Sequence, residues 1–362
     1  MHDYCCRSGS HLAQVLELVG DAYFELFLYT PIVPSTDEVW NSVPWQKLQT
    51  QCVKIIARST SYDSPDDPDL TAVPMAHRLP PLHKLQYLSL HEDKLTSSIL
   101  HKTDQNTHNL RGMDVSYIQP SGSPFDPRRV KDVLANLQSF SSSRSHAGSF
   151  STDFSITLLS SFRNLKDLTW NGPAYNPGNV QALRESVNWG FKLDKLETYY
   201  TLLSGFPADP ILNHLKELVI STSWEDEAIE RVFELPSLTD LTLVGLWIGL
   251  FQINAPNLVR LALHGTWGFP SQGEIADLDL SEINLCPRIL DIHDDGLGVV
   301  VGCFLRGPFT ELEELTIHVR AEWVEAGHLK QLLSEFVTER VESCRNLRHL
   351  KVFVDPKAVS CG

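Results

Sequence analysis

The densest gathering of potential metal ligands in the sequence is Asp277, Asp279, His293, Asp294 and Asp295. Carboxylates with an imidazole can hold a divalent ion, and an ion-bound water would then supply a nucleophile. This makes a metal-dependent hydrolase, built on an acidic cluster near 277–295, the enzymatic alternative. Against it, IHDDGLG (292–298) has neither a calcium-loop pattern nor HExxH spacing, and it reads as an acidic turn. No GxSxG elbow, GxGxxG fingerprint or Walker loop occurs. The glycine-rich piece DGLGVVVG (295–302) continues into Cys303, Phe304 and Leu305, as a buried strand would. The expectation is a non-enzyme with no catalytic, cofactor-binding or metal-binding residues and no cofactor.

A second set of side chains suits binding better. Asp167, Thr169, Glu217, Ser221, Asp240, Thr242, Arg260, His264, Asp277, Asp279, Glu314 and His318 each flank an apolar residue in a recurring alternating pattern. Side chains on a strand alternate between faces, so these positions would share the solvated face of a sheet. Acids outnumber Arg260 and Lys351 in the stripe, which points to a basic protein or peptide as partner. The plainer reading is that the acids only keep the sheet face hydrated. Trp224, Trp247 and Trp267 follow the apolar strands, where a large aromatic either packs an irregular turn or anchors a partner.

The elements that position these residues come from one template, an apolar residue, two variable ones, an apolar residue, one variable, an apolar residue. It occurs as LHKLQYLSL (82–90), NLRGMDV (109–115), NLKDLTW (164–170), HLKELVI (214–220), SLTDLTL (237–243), NLVRLAL (257–263), EIADLDL (274–280), ELEELTI (311–317) and NLRHLKV (346–352). Between Leu218 and Leu278 the spacing approaches the roughly 20–29 residues of a leucine-rich repeat. DFSITLL (153–159) and KLETYYT (195–201) read as degenerate copies in the wider gaps. The last two apolar positions have strand period, and the first turns the chain into the strand. Short strands of this kind are stable only when stacked as a parallel sheet over a shared core. The expected fold is α/β, an irregular leucine-rich-repeat solenoid with parallel strands on its concave face and short helices and loops outside. Residues 130–137, 179–191, 225–235 and 324–344 have helical spacing, whereas 11–29 fits a helix or a strand. The domain reading is an irregular N-terminal segment and cap over 1–80, the array over 81–355 and a flexible tail over 356–362. Residues 141–149, rich in serine, read as a mobile low-complexity tract.

The net charge of −15 argues against sequence-independent binding to nucleic acid or to anionic membranes. The seven cysteines are odd in number and form no CxxC pair, which suits reduced thiols in a cytoplasmic or nuclear protein. The most apolar N-terminal stretch, 11–30, carries Glu17, Asp21 and Glu25, each costing roughly 2.5–3.5 kcal/mol at a bilayer centre on insertion scales. No signal peptide or transmembrane helix is expected, and neither a membrane nor nucleic acid is expected as a partner.

The lead-ins in APNLVRLAL (255–263) and CRNLRHLKV (344–352) resemble those in the leucine-rich arrays of fungal, mushroom-type F-box-like proteins. CRSGSHLAQVLELVG (6–20) is similar to the RSGSHPL segment that follows the F-box in that family, and VPWQKLQ (43–49) to its PWSQLT strand opening. The resemblance implies a ubiquitin-ligase substrate receptor. Adaptor docking in that family uses an F-box ahead of the RSGS segment. Only five residues precede that segment here, and 1–80 lacks the Leu-Pro start and paired helices. The resemblance therefore implies a ligase connection only if an F-box lies upstream. The alternatives are an array that works without one and a truncated family member without activity.

Overall fold

The computed structural model describes residues 24–30, 52–59, 83–90, 109–115, 131–142, 151–170, 177–221, 232–245, 253–264, 285–294, 310–320 and 345–355, with isolated positions at 14, 17, 46 and 47. The protein is α/β, a parallel sheet with few helices. It divides into two compact units, Met1–Lys192 and Leu193–Gly362.

In the first unit, β1 (Phe24–Thr30), β2 (Cys52–Ser59), β3 (Tyr87–Leu90), β4 (Gly112–Val115), β5 (Ser139–Ser142) and β6 (Asp167–Trp170) pair in chain order, every neighbour parallel. Parallel neighbours need a crossover, and among the described residues the short helices α1 (Lys131–Asn136), α2 (Thr152–Leu159) and α3 (Pro177–Ser186) accompany the strands. In the second unit, β7 (Lys195–Tyr199) pairs with β8 (Glu217–Ser221). Then come β10 (Asp240–Val244), β12 (Arg260–His264), β13 (Ile289–Asp294), β14 (Glu314–Arg320) and β15 (His349–Asp355), again all parallel and in register. The one-turn helix α4 (Tyr200–Leu203) follows β7. Two-residue strands β9 (Phe233–Glu234) and β11 (Ile253–Asn254), lying in successive returns, pair with each other as a second small sheet.

The apolar template becomes three ladders, buried along the sheet but partly open on its last strand. Its first position supplies Leu85, Leu110, Leu137 and Leu165 in one unit and Leu193, Leu215, Leu238, Leu258 and Leu312 in the other, all buried. The second runs through Leu88, Met113, Phe140 and Leu168 in the first unit. In the second unit it runs through Leu196, Leu218, Leu241, Leu261, Leu290 and Leu315 and ends at Leu350 on the edge strand. The third is Thr198, Ile220, Leu243, Leu263, Ile292, Ile317 and Val352. Full burial of each such aliphatic side chain stabilises by about 1.5–3 kcal/mol, so the core is spread along the sheet.

A polar device accompanies the ladders. At five rungs the residue just before the first template leucine sends its side chain to a backbone carbonyl of the preceding rung. Asn109 Nδ2 donates to His83 O (2.8 Å), Asn164 to Ala135 O (2.8 Å), Asn257 to Pro236 O (2.7 Å) and Asn346 to Thr310 O (3.1 Å). Ser237 Oγ does the same with Asn213 O at 2.7 Å. Each accepting carbonyl lies two residues before the template leucine of its own rung. At four of these rungs the lead-in asparagine therefore ties the turn to its neighbour where sheet hydrogen bonding has not yet begun, whereas Asn136, ahead of Leu137, bonds Asp132 O within its own helix.

Several elements depart from the sequence reading. DFSITLL is helix α2, not a degenerate strand: Ser151 caps it by accepting from Phe154 N at 3.2 Å, and Asp153 stands in its first turn. Ser139–Ser142 is a strand where 141–149 was expected to be mobile, with Ser142 buried at a ladder position. Phe233–Glu234 is strand rather than the end of a helix. The rung after β12 is Ile289–Asp294, which the template did not include, and Ile292, His293 and Asp294 belong to this strand rather than to a turn. EIADLDL and the expected helix at 324–344 lie outside the described residues.

Candidate functional site

Alternation along the strands of the second unit puts three parallel rows on the face opposite the ladders. The first is Lys195, Glu217, Asp240, Arg260, Ile289, Glu314 and His349. The middle row is Glu197, Val219, Thr242, Ala262, Asp291, Thr316 and Lys351, and the third is Tyr199, Ser221, Val244, His264, His293, His318 and Phe353. Thus Glu217, Ser221, Asp240, Thr242, Arg260, His264, Glu314 and His318 share the face the sequence assigned to them. Asp167 and Thr169 stand on β6 of the other unit, exposed and half-buried respectively. Asp277, Asp279, Trp224, Trp247 and Trp267 lie outside the described residues, as do Asp295 and the side chain of Asp294.

Charges on this face pair across rungs. Lys195 Nζ donates to Glu217 Oε1, and Lys351 Nζ reaches Glu314 Oε1 at 2.6 Å. Arg260 reaches Asp291 Oδ2 at 3.0 Å, and Asp240 Oδ2 accepts from the Thr239 hydroxyl at 2.8 Å. The two lysine pairs, largely open to solvent, are worth only about 0–1 kcal/mol each, but with Arg260–Asp291 they offset much of the acidity of the stripe. Lys195 and Asp291, which take part in two of the pairs, were missed in the sequence.

The third row holds the most distinctive geometry. His264 stacks on His293 with centroids 4.2 Å apart, His293 on His318 at 3.9 Å, and His318 on Phe353 at 4.8 Å. The rings overlap because each follows the third-ladder residue of its strand, after Leu263, Ile292, Ile317 and Val352. Parallel register then sets them side by side. Exposed rings close the row at both ends, Tyr199 at 39% and Phe353 at 48%. Gly245, just after β10, stands in the left-handed region (φ 98°) and donates its N–H to His264 O at 2.9 Å, a conformation that a side chain would strain.

Asp291 lies beside this stack, in the middle row. Its side chain is 13% exposed, with Oδ1 3.3 Å from His293 Nε2 and 3.5 Å from His318 Nε2. Those contacts are too long or poorly aligned to be hydrogen bonds, leaving Oδ1 as a buried carboxylate oxygen without one. Burial, followed by the neighbouring His293, holds the His264 imidazole below its ordinary pKa, with Asp291 opposing. The signal for this cluster was a residue-by-residue alignment of LALH, LDIH and LTIH; reading His293 within an acidic turn concealed it.

Among the described residues, no helix is long and apolar enough to cross a membrane. Cys52 is buried at the start of β2, and Cys286 is exposed. No protein-family model matches the chain, and no curated protein matches it.

Proposed function

We propose that this chain is a non-catalytic protein-binding module, a leucine-rich solenoid that presents its outward strand rows to another protein or peptide in the cytoplasm or nucleus. The observation that carries this reading is the third row of the second unit, which sets Tyr199, three stacked imidazoles and Phe353 on one sheet face. Rigid, partly exposed rings bury large areas at little entropic cost, and such residues dominate binding energy at interfaces. A basic partner remains the favoured class. Glu197, Glu217, Asp240, Asp291 and Glu314 exceed Lys195, Arg260 and Lys351 on the face, and pairing narrows that excess without abolishing it.

The charge preference is tested by reversing Glu217 and Asp240 to Lys and measuring partner recovery across a salt series. Weaker recovery with a flatter salt dependence supports a basic partner, and unchanged recovery assigns these acids to hydration of the face. The specific version, a substrate receptor of the F-box type, rests on the sequence resemblance. Its test is the transcript upstream of Met1. An in-frame Leu-Pro start with paired helices supports ligase recruitment, and a stop codon in verified transcripts removes it for this product.

A further inference from the structure

We propose that Asp291, His293 and His318 form a binding site for a transition-series divalent cation such as Zn2+, with Asp291 Oδ1 and the two imidazole Nε2 atoms as ligands. This rests on side-chain geometry alone and does not depend on the protein-binding reading. One ligand atom from each of the three side chains lies within 4.8 Å of the others. The two separations from Oδ1, 3.3 and 3.5 Å, match the edge of a tetrahedron whose centre is about 2.0–2.2 Å from each ligand.

The independent sign is the carboxylate. A buried carboxylate oxygen without a hydrogen bond is costly, and such groups in native structures need a partner. A cation between Oδ1 and the two imidazoles supplies one. Arg260 meanwhile holds Oδ2 at 3.0 Å and so fixes the orientation in which Oδ1 faces the rings, as outer partners of metal ligands commonly do. The guanidinium also lowers the site's affinity for any cation, which favours an ion that bonds strongly to nitrogen. One carboxylate with two imidazoles suits zinc, cobalt, nickel or copper, whereas calcium needs more oxygen ligands and magnesium dehydrates reluctantly.

Three protein ligands leave a fourth position for water or for a donor from outside. Entry of the ion has a structural requirement. The His293 and His318 planes are only 9° apart, and an imidazole lone pair lies in its own ring plane. Two parallel rings cannot both aim at one ion, so one ring turns about χ2, a broad torsion in histidine, and the stack opens.

The test is calorimetric titration of the full chain with Zn2+ and Co2+ at neutral pH, alongside the histidine ring signals in the NMR spectrum. The expected result is one equivalent of either ion, shifts in the His293 and His318 rings, and silence with Ca2+ or Mg2+. Asp291→Asn and His318→Gln should each weaken binding more than about tenfold, whereas His349→Gln, on the same face outside the cluster, should not. If either variant fails to fold, His293→Gln and the wild-type ring shifts decide the question. No uptake by the wild type, or uptake undiminished by loss of these ligands, overturns the proposal.

Discussion

Asn257 donates its side-chain amide to the backbone carbonyl of Pro236 at 2.7 Å, joining one rung of the second unit to the rung before it. The same placement recurs at Asn109, Asn164 and Asn346, so the asparagine ahead of the template leucine is a structural residue.

Replacing Asn257 with Ala should therefore cost about 0.5–1.5 kcal/mol, the net worth of one hydrogen bond, toward the lower end because the site is exposed. Asn257→Asp should cost more, since a carboxylate would face the carbonyl without a donor. The check is a lower urea midpoint at unchanged slope in chemical denaturation.

Leu241 and Leu350 occupy the same template position, but Leu241 is 0% exposed and Leu350 on the edge strand is 42% exposed. Leu241→Ala should cost about 2–5 kcal/mol through lost burial and the cavity left behind. Leu350→Ala should cost clearly less. Equal losses in a thermal or urea comparison would show that the edge strand is covered in solution.

Gly112 faces Tyr87 across β3 and β4. A Cβ at Gly112 would come within 3.0 Å of Tyr87 Cε2 and closer still to Cδ2, so the ring lies where a side chain would stand. Gly112→Ala should destabilise the first unit by about 1–3 kcal/mol, the range for overpacking. Adding Tyr87→Ala should recover part of that loss, which a double-mutant cycle measures.

Burial, and then the nearby Asp114 carboxylate, raises the Tyr87 phenol above its ordinary value of 10.0, with Lys54 Nζ 5.4 Å from the ring centroid. The native state then holds the phenolic proton more tightly than the unfolded chain. This contribution is fully present below pH 10 and is lost as pH rises through the folded value. Tyrosinate absorbance should show a late-ionising phenol that Tyr87→Phe removes. Complete ionisation of all phenols at their ordinary value, with the protein still folded, would contradict it.

The template was legible in the sequence wherever both alternating positions are large and apolar, as in β8, β10, β12 and β14. It failed where chemistry varied at a buried position. In β13, Pro287 stands buried where other rungs have leucine, so the strand carrying Asp291 and His293 went unread. In β5 the final ladder position is Ser142, small enough to bury, and the surrounding serines masked it. Helix α2 mimicked the template in composition, but its Ser151 cap and acidic first turn set the helical period. Most of the outward row could be named from alternation. The stacking of His264, His293 and His318 could not, because it depends on the register between three strands, one of which was unread.

The most direct test of the binding-module reading compares affinity capture from the source cells with three baits: wild type, Tyr199→Ala/Phe353→Ala, and a control altered at the exposed Gln181 and Glu185 of α3. The expected result is a reproducible partner set held by wild type and control and lost from the aromatic variant, with all three baits equally folded by circular dichroism. Recovery of the same proteins by every bait, or of none alongside ion-dependent hydrolysis by the pure chain, would contradict it.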